Sequence, residues 1–408
     1  MKNRSKLPAA FLSLLIIFLL VLPSQAMPGF ARKYRMSCTT CHAPFPRLKD
    51  YGDEYAGNGF RLPEGEPKRS IVDTGDPLLE LQRDVSLGFR IDLHGTYEDD
   101  GDPSDADLKT PYNLKIISGG PIAENLAYYV YFFFSEHGEI AGIEDAFIFI
   151  SDLFKSGINL TLGQFAVSDP LLKGELRLTY EGYEIFKRKP RYSYANLKYD
   201  RGIVVDYGTE FGLDLVLQVV NGNGIGEAEG GSKNFDFDDP KNVMFRAAQS
   251  VGPASVGGFV YYGDEEHEDD QGKVFENTVR YIGGDATLTV GPAQLTALYF
   301  ERTDDNGYFM PTSTEISSTG LVIEATVVPD EKGRWAYAAL YNRFDSDYEA
   351  LSPDDTELDY ETVTLNVSYL LRRNARCLAE YTRIVEDKYR GTDFADKNRF
   401  VLGMVVGF

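Results

Sequence analysis

Three cysteines in 408 residues cannot supply a disulfide framework. Cys377 stands far downstream of Cys38 and Cys41 with no histidine after it, so a zinc site has no second ligand pair to draw on. Histidine is equally sparse, with four in the chain: His42, His94, His137 and His267. After the amino-terminal leader no apolar run reaches the roughly eighteen residues that a membrane helix needs. Positive charge is in deficit, 41 Lys and Arg against 63 Asp and Glu, for a formal net charge of −22. That balance argues against nucleic acid and anionic lipid as partners and in favour of cations or basic proteins. Tryptophan occurs once, whereas Tyr and Phe occur 26 times each and Gly 39 times.

The leader itself is explicit. Lys2, Arg4 and Lys6 precede the apolar stretch Leu7 to Leu22, and Ser24-Gln25-Ala26 offers small residues at a cleavage site. Residues 1–26 read as a signal peptide, with the mature chain starting at Met27. Residues 27–82 form a short helical segment and polar connector, and residues 83–408 a β-domain.

Within the short segment, Cys38-Thr39-Thr40-Cys41-His42 has the spacing of covalent c-type haem attachment, two sulfurs for the porphyrin vinyl groups and an imidazole for the iron. A thioredoxin-type redox pair would need a βαβ context, and none follows. One haem c is the expected cofactor, attached at Cys38 and Cys41 with His42 as axial ligand. Leu48, Tyr51 and Tyr55 share a helical face that can cover a haem edge, and Gly57 and Gly59 end that helix. For the distal side His94 is the candidate, with the Met27 amino terminus, the Met27 sulfur and an open sixth position as alternatives.

From residue 83 apolar and polar residues alternate in short runs. Leu87, Phe89, Ile91, Leu93 and Tyr97 lie on one face of the first strand; Arg90, Asp92 and His94 lie on the other. Tight connectors at Gly119-Gly120-Pro121, 151–157, 208–212, Gly252-Pro253, Gly291-Pro292, 330–333 and 372–376 alternate with longer acidic loops. Those loops fall near 98–109, 137–142, 167–192, 221–240, 264–273, 303–317, 345–358 and 388–395. Seven short and eight long connections make sixteen strands, the pattern of an antiparallel transmembrane outer-membrane β-barrel. At the end, Phe400, Leu402, Met404, Val406 and Phe408 alternate with smaller residues, which resembles the terminal strand of outer-membrane barrels. An even strand count puts both ends at the short-turn side, so the haem segment is expected at the periplasmic mouth or in the lumen.

Two charge clusters complete the reading. Glu98, Asp99, Asp100 and Asp102 crowd one external loop and Asp264, Glu265, Glu266 and His267 another, donor sets that suit hard or borderline divalent metals such as Fe(II). The competing reading is a solvated loop beside lipopolysaccharide. Lys187-Arg188-Lys189-Pro190-Arg191 reads either as an inward constriction that meets anions or a haem propionate, or as a surface contact to lipopolysaccharide phosphate.

Taken together, Cys38, Cys41 and His42, the Phe45-Pro46 and Leu48 stretch with Gly52 and Gly59, and the terminal Phe408 give the chain a resemblance to the fused outer-membrane monohaem cytochrome-porins of iron-oxidising bacteria. That resemblance implies electron transfer rather than group chemistry, with extracellular Fe(II) oxidised and the electron passed to a periplasmic c-type cytochrome or other carrier. Outward delivery to external acceptors, and a diffusion porin with a haem-bearing plug, are the alternatives.

Overall fold

Inverted alternation is the local rule from which the architecture follows. In the computed structural model, which describes residues 29–408 apart from 63–64, 68–69, 77, 80, 100–104, 229–233, 237, 239, 269–271, 313, 331, 352–355 and 389–394, the strand Tyr360–Arg372 turns Thr362, Thr364, Asn366 and Ser368 inward. None of those four is more than 2% exposed, whereas Val363, Leu365 and Val367 face outward at 42%, 54% and 40%. Successive side chains of a strand point to opposite faces. Polar-in and apolar-out is favourable only where the outer medium is hydrocarbon.

Two short strands, β1 (Ile71–Val72) and β2 (Leu81–Gln82), pair within the connector. Sixteen more build the barrel: β3 (Leu87–Asp99), β4 (Asp105–Ala123), β5 (Leu126–Glu136), β6 (Gly142–Leu153), β7 (Ile158–Ala166), β8 (Tyr199–Gly208), β9 (Leu213–Val220) and β10 (Asn242–Val251), then β11 (Ala254–Glu268), β12 (Val274–Val290), β13 (Ala293–Asp304), β14 (Ile316–Val327), β15 (Trp335–Ser346), β16 (Tyr360–Arg372), β17 (Ala375–Asp387) and β18 (Lys397–Gly407). Each pairs antiparallel with its sequence neighbours, and β18 closes the ring on β3 with Gly403 opposite His94. The last residue takes part in closure. The Phe408 N–H donates to the Phe89 carbonyl at 2.9 Å, the Phe89 N–H returns a bond of 2.7 Å, and the two rings stack at 5.4 Å.

Closure removes every sheet edge, which is what lets strands cross a bilayer. The expected alternation of short and long connections is present, with one displacement. Gly119-Gly120-Pro121 belongs to β4, because a register irregularity between Pro121 and Ala123 carries the strand past the proline; the turn falls at Glu124 and Asn125.

The longest loop, residues 167–198, folds into the barrel. Its Val167, Tyr183, Ile185 and Leu197 pack against inward-facing Phe259, Tyr281, Phe300 and Phe344 in one buried cluster. A loop buried this way must find acceptors for its backbone N–H groups, and strand carboxylates supply them. Glu380 accepts from the N–H groups of Tyr180 (2.7 Å) and Glu181 (2.9 Å), and Glu265 accepts from Tyr194 (2.7 Å) and Ala195. The interior on this side is a packed core.

Candidate functional site

Among the described residues three short helices precede the barrel: α1 (Gly29–Tyr34), α2 (Cys38–Cys41) and α3 (Asp50–Gly57). Ser37 caps α2, its Oγ accepting from the Thr39 N–H at 3.4 Å. A single turn sets Cys38 and Cys41 three residues apart on one side, and the His42 N–H closes it by donating to the Cys38 carbonyl at 2.9 Å. The chain then doubles back, with Ala43 N–H on the Arg47 carbonyl at 3.0 Å and Lys49 N–H on the Cys41 carbonyl at 2.8 Å.

This fold-back orients the imidazole. His42 Nδ1 lies 2.8 Å from the Pro46 carbonyl, which can only accept, so Nδ1 carries the proton and donates. Nε2 is then the nitrogen suited to a metal, in the arrangement by which an outer hydrogen bond fixes tautomer and ring orientation. Burial holds His42 below its ordinary pKa, which keeps the ring neutral, and pushes the thiols of Cys38 and Cys41 up. The donor set and its outer bond fit a haem c.

Helix α3 packs directly on this turn. Gly52 abuts the Cys41 carbonyl so closely that any side chain there would overlap it. Tyr55 meets Phe30, Tyr34 and Phe60 edge-on at 6.0, 5.8 and 5.9 Å, so its face of the helix is committed to an aromatic cluster. Phe60 in turn stacks on Tyr129 of β5 at 4.9 Å.

The whole segment lies across one end of the barrel. Arg32 reaches the Leu87 carbonyl at 3.4 Å, Arg61 the Ala123 carbonyl and Arg47 the Gln294 side chain. Ala43 sits against Gly333, and Phe45 covers Gly407 and packs with Leu378, Val401 and Val405. Leu87, Ala123, Gln294 and Gly407 stand at the short-turn ends of their strands, and Gly333 lies in the short turn between β14 and β15. The Cys38–His42 turn is therefore docked at the short-turn mouth.

The structure does not bring His94 to His42. His94 is buried on the inner face of β3 with Tyr112 and Tyr180 at 5.1 and 5.0 Å, and both its ring nitrogens lack partners among the described residues. Leu378 and Val405, which line its cavity, also pack against Phe45. Rings continue outward from this point: Tyr180 and Tyr112 are 5.0 Å apart, and Tyr112 and His137, at the start of a long loop, 4.5 Å apart.

Nor are the acidic residues gathered. Asp100 and Asp102 lie outside the described residues. Glu98 and Asp99 are the last residues of β3, and Glu98 pairs with Arg399 at 3.9 Å. Asp264, Glu265, Glu266 and His267 belong to β11 rather than to a loop, so alternation sends them to different faces. Asp264 accepts from the hydroxyls of Tyr262 (3.2 Å) and Thr278 (2.7 Å). Glu265 turns inward, the Glu266 N–H donates to Asp238 at 3.3 Å, and His267 faces Tyr192 and Phe309. Among the described residues no three His, Cys, Asp or Glu side chains are grouped to hold a metal ion.

The basic stretch does fold inward, as one of its two readings required, yet its charges are used structurally. Arg188 pairs with Asp387 at 3.0 Å, donates to the Leu358 carbonyl and lies over the Tyr360 ring, while Lys187 pairs with Glu184 at 2.6 Å. The sequence reading missed Glu380, assigned Glu265 to an external cation site rather than to the loop it anchors, and of the cationic lining around His94 placed only Arg90. Inward phase on each strand was their one available signal.

These features define a transmembrane β-barrel of the outer membrane, capped at its short-turn mouth by a Cys-x-x-Cys-His segment. Its fold is that of the outer-membrane porins. No protein-family model and no curated protein matches the sequence. Among solved structures the chain is similar to an anion-selective porin from Comamonas acidovorans, 13% identical with a TM-score of 0.57, over 79% of this chain and 99% of that one. It is also similar to the outer membrane channel DcaP of Acinetobacter baumannii, 14% identical with a TM-score of 0.54, over 80% and 97%. Salmonella typhi OmpF, solved in complex with daunomycin, aligns at 13% identity and a TM-score of 0.54 over 80% and 98%.

Proposed function

We propose that this barrel is an electron-transfer protein carrying one haem c, bound covalently through Cys38 and Cys41 and ligated by His42 Nε2. The observation that carries the reading is the bond from His42 Nδ1 to the Pro46 carbonyl, 2.8 Å long, on a turn that presents both thiols. When bound, the haem supplies a one-electron couple. The chain's part is to fix the imidazole through Pro46, to hold the Cys38–His42 turn at the mouth through Phe45 and Arg47, and to keep water out with α3. The rings of Tyr180, Tyr112 and His137 extend the aromatic route across the lumen toward the long-loop side. Extracellular Fe(II), drawn by the net charge of −22, is the donor we favour, and a periplasmic c-type cytochrome the acceptor.

A second reading is a diffusion porin with a haem-bearing cap, and the porin fold favours it. The packed loop 167–198 weighs against it, because solutes need an open lumen. Proteoliposomes separate the two. The protein is inserted with an oxidised c-type cytochrome trapped inside, Fe(II) is added outside, and haem absorbance is followed together with efflux of a small dye. Reduction of the trapped cytochrome, abolished in His42→Ala, supports electron transfer. Dye efflux with a persistently oxidised cytochrome refutes it and leaves the porin.

A further inference from the structure

A small cavity, about 30 Å³, is enclosed where β3, β4, β17 and β18 meet the inward loop. That volume holds one or two water-sized species. Its lining carries Arg90, Lys115, Arg177 and Arg376 against Asp92 and Glu175, four cationic groups to two anionic. Asp92 accepts two bonds from Arg90, at 2.8 and 2.9 Å, and one from the Asn113 amide at 3.3 Å, while Glu175 accepts from Lys115 at 2.6 Å and from the Tyr131 hydroxyl. Arg177 and Arg376 bond only to uncharged acceptors. Arg177 donates to the Gly174 carbonyl at 2.7 Å; Arg376 donates to the Leu178 carbonyl at 2.7 Å and the Ser368 hydroxyl at 2.9 Å. Neither is in direct contact with a carboxylate, although Glu175 is near Arg177 and Asp92 and Glu380 are near Arg376, so the lining keeps an excess of positive charge.

Unused donors accompany the unused charge. Nε of Arg177 and Nε of Arg376 are buried with no partner among the described residues, and so are both ring nitrogens of His94, one of which is a donor in the neutral ring. A buried excess of positive charge is costly, and a small anion that accepts from these donors reduces both the imbalance and the number of orphaned donors. Carboxylates and phosphates exceed the space, water carries no charge, and a cation has the wrong sign.

We propose that this cavity is a binding site for one monatomic anion of the halide class. Asn113 Oδ1, an unpartnered acceptor on the same lining, leaves a place for a water beside it. Because Arg177 and Tyr180 belong to the loop and Arg376 and Leu378 to β17, the anion ties the first half of the loop to the barrel wall.

The test uses the full-length protein in detergent at constant ionic strength, with chloride or bromide replaced stepwise by gluconate, which is too large to enter. Thermal unfolding should shift upward with halide along a saturating curve, and crystals grown in bromide should show an anomalous peak in the cavity. Arg177→Gln and Arg376→Gln should each weaken the halide effect by roughly tenfold or more, the loss of one charged hydrogen bond. Arg177 lies on the loop, so its variant and the bromide map stand even if the Arg376 variant does not fold. Equal unfolding temperatures in halide and gluconate, an empty or water-only cavity in the bromide map, or an undiminished halide effect in Arg177→Gln would each overturn the proposal.

Discussion

Replacing Glu265 with alanine should release one end of the inward loop without opening the barrel. Its carboxylate is 1% exposed and accepts from four donors: the N–H groups of Tyr194 (2.7 Å) and Ala195, the Ser193 hydroxyl (3.2 Å) and the Asn277 amide (3.1 Å). Hydrogen bonds to a charged group contribute about 1.5–3 kcal/mol each, and stranding buried backbone donors costs a similar amount. Taking the two backbone donors as those that cannot be re-satisfied in place, Glu265→Ala should cost about 3–5 kcal/mol. That cost is capped by the free energy of letting residues 190–197 swing away to meet water. Glu265→Gln keeps one acceptor oxygen and should cost about 1–2 kcal/mol. Nearby Arg302 retains Asp304 through bonds of 2.6 and 2.7 Å, so the strands themselves keep their support. Two assays report on the loop: trypsin cleavage after Lys187, Arg188 or Arg191, and single-channel conductance in a planar bilayer. Cleavage and conductance should rise in the order wild type, Gln, Ala. If Glu265→Ala resists trypsin and conducts like wild type, strand carboxylates do not hold the loop.

Other consequences follow from the same geometry. Gly52→Val drives a side chain into the Cys41 carbonyl, so it should displace α3 at a cost of about 1–3 kcal/mol; covalent haem yield, read by haem stain on a denaturing gel, should fall while the barrel still folds. Deleting Phe408 removes two backbone bonds and a stacked ring from the closing seam, and the heat-modifiable folded form on a gel should accumulate more slowly. Asp238, in the loop after β9, is pushed up to about 7 by burial. A carboxyl whose folded value exceeds its unfolded value stabilises most at acid pH and loses that contribution as pH rises through the folded value. Hydrogen-exchange protection of the loop around Asp238 should therefore fall between about pH 4 and pH 8, and Asp238→Asn should flatten the profile; protection that climbs with pH would reverse the sign argued here.

Most of the barrel was legible because its rule is local. On β16 and β18 each second residue announces its face, and a run such as Phe400 to Phe408 has one consistent phase. Turn chemistry was nearly as readable at Gly252-Pro253 and Gly291-Pro292, where glycine takes positive φ. It misled at Gly119-Gly120-Pro121, since a bulge can carry a strand past a proline and nothing local announces it. The second acidic cluster is divided for a related reason. Asp264, Glu265, Glu266 and His267 look like one acidic group when counted along the chain, yet a strand sends Glu265 into the lumen and Asp264 out of it.

Local pattern by itself determined the number of strands and the face each residue takes, because both depend on neighbours within a few positions; the expected leader, residues 1–26, lies outside the described residues. Only the closed tertiary structure decided what those faces meet. Loop 167–198 could fill the lumen only once strands distant in sequence stood around it with Glu265 and Glu380 aimed inward. Likewise His94, Lys115, Arg177 and Arg376 share one cavity because β18 pairs with β3. Ring closure fixes register between residues hundreds of positions apart, and no pattern of period two carries that information.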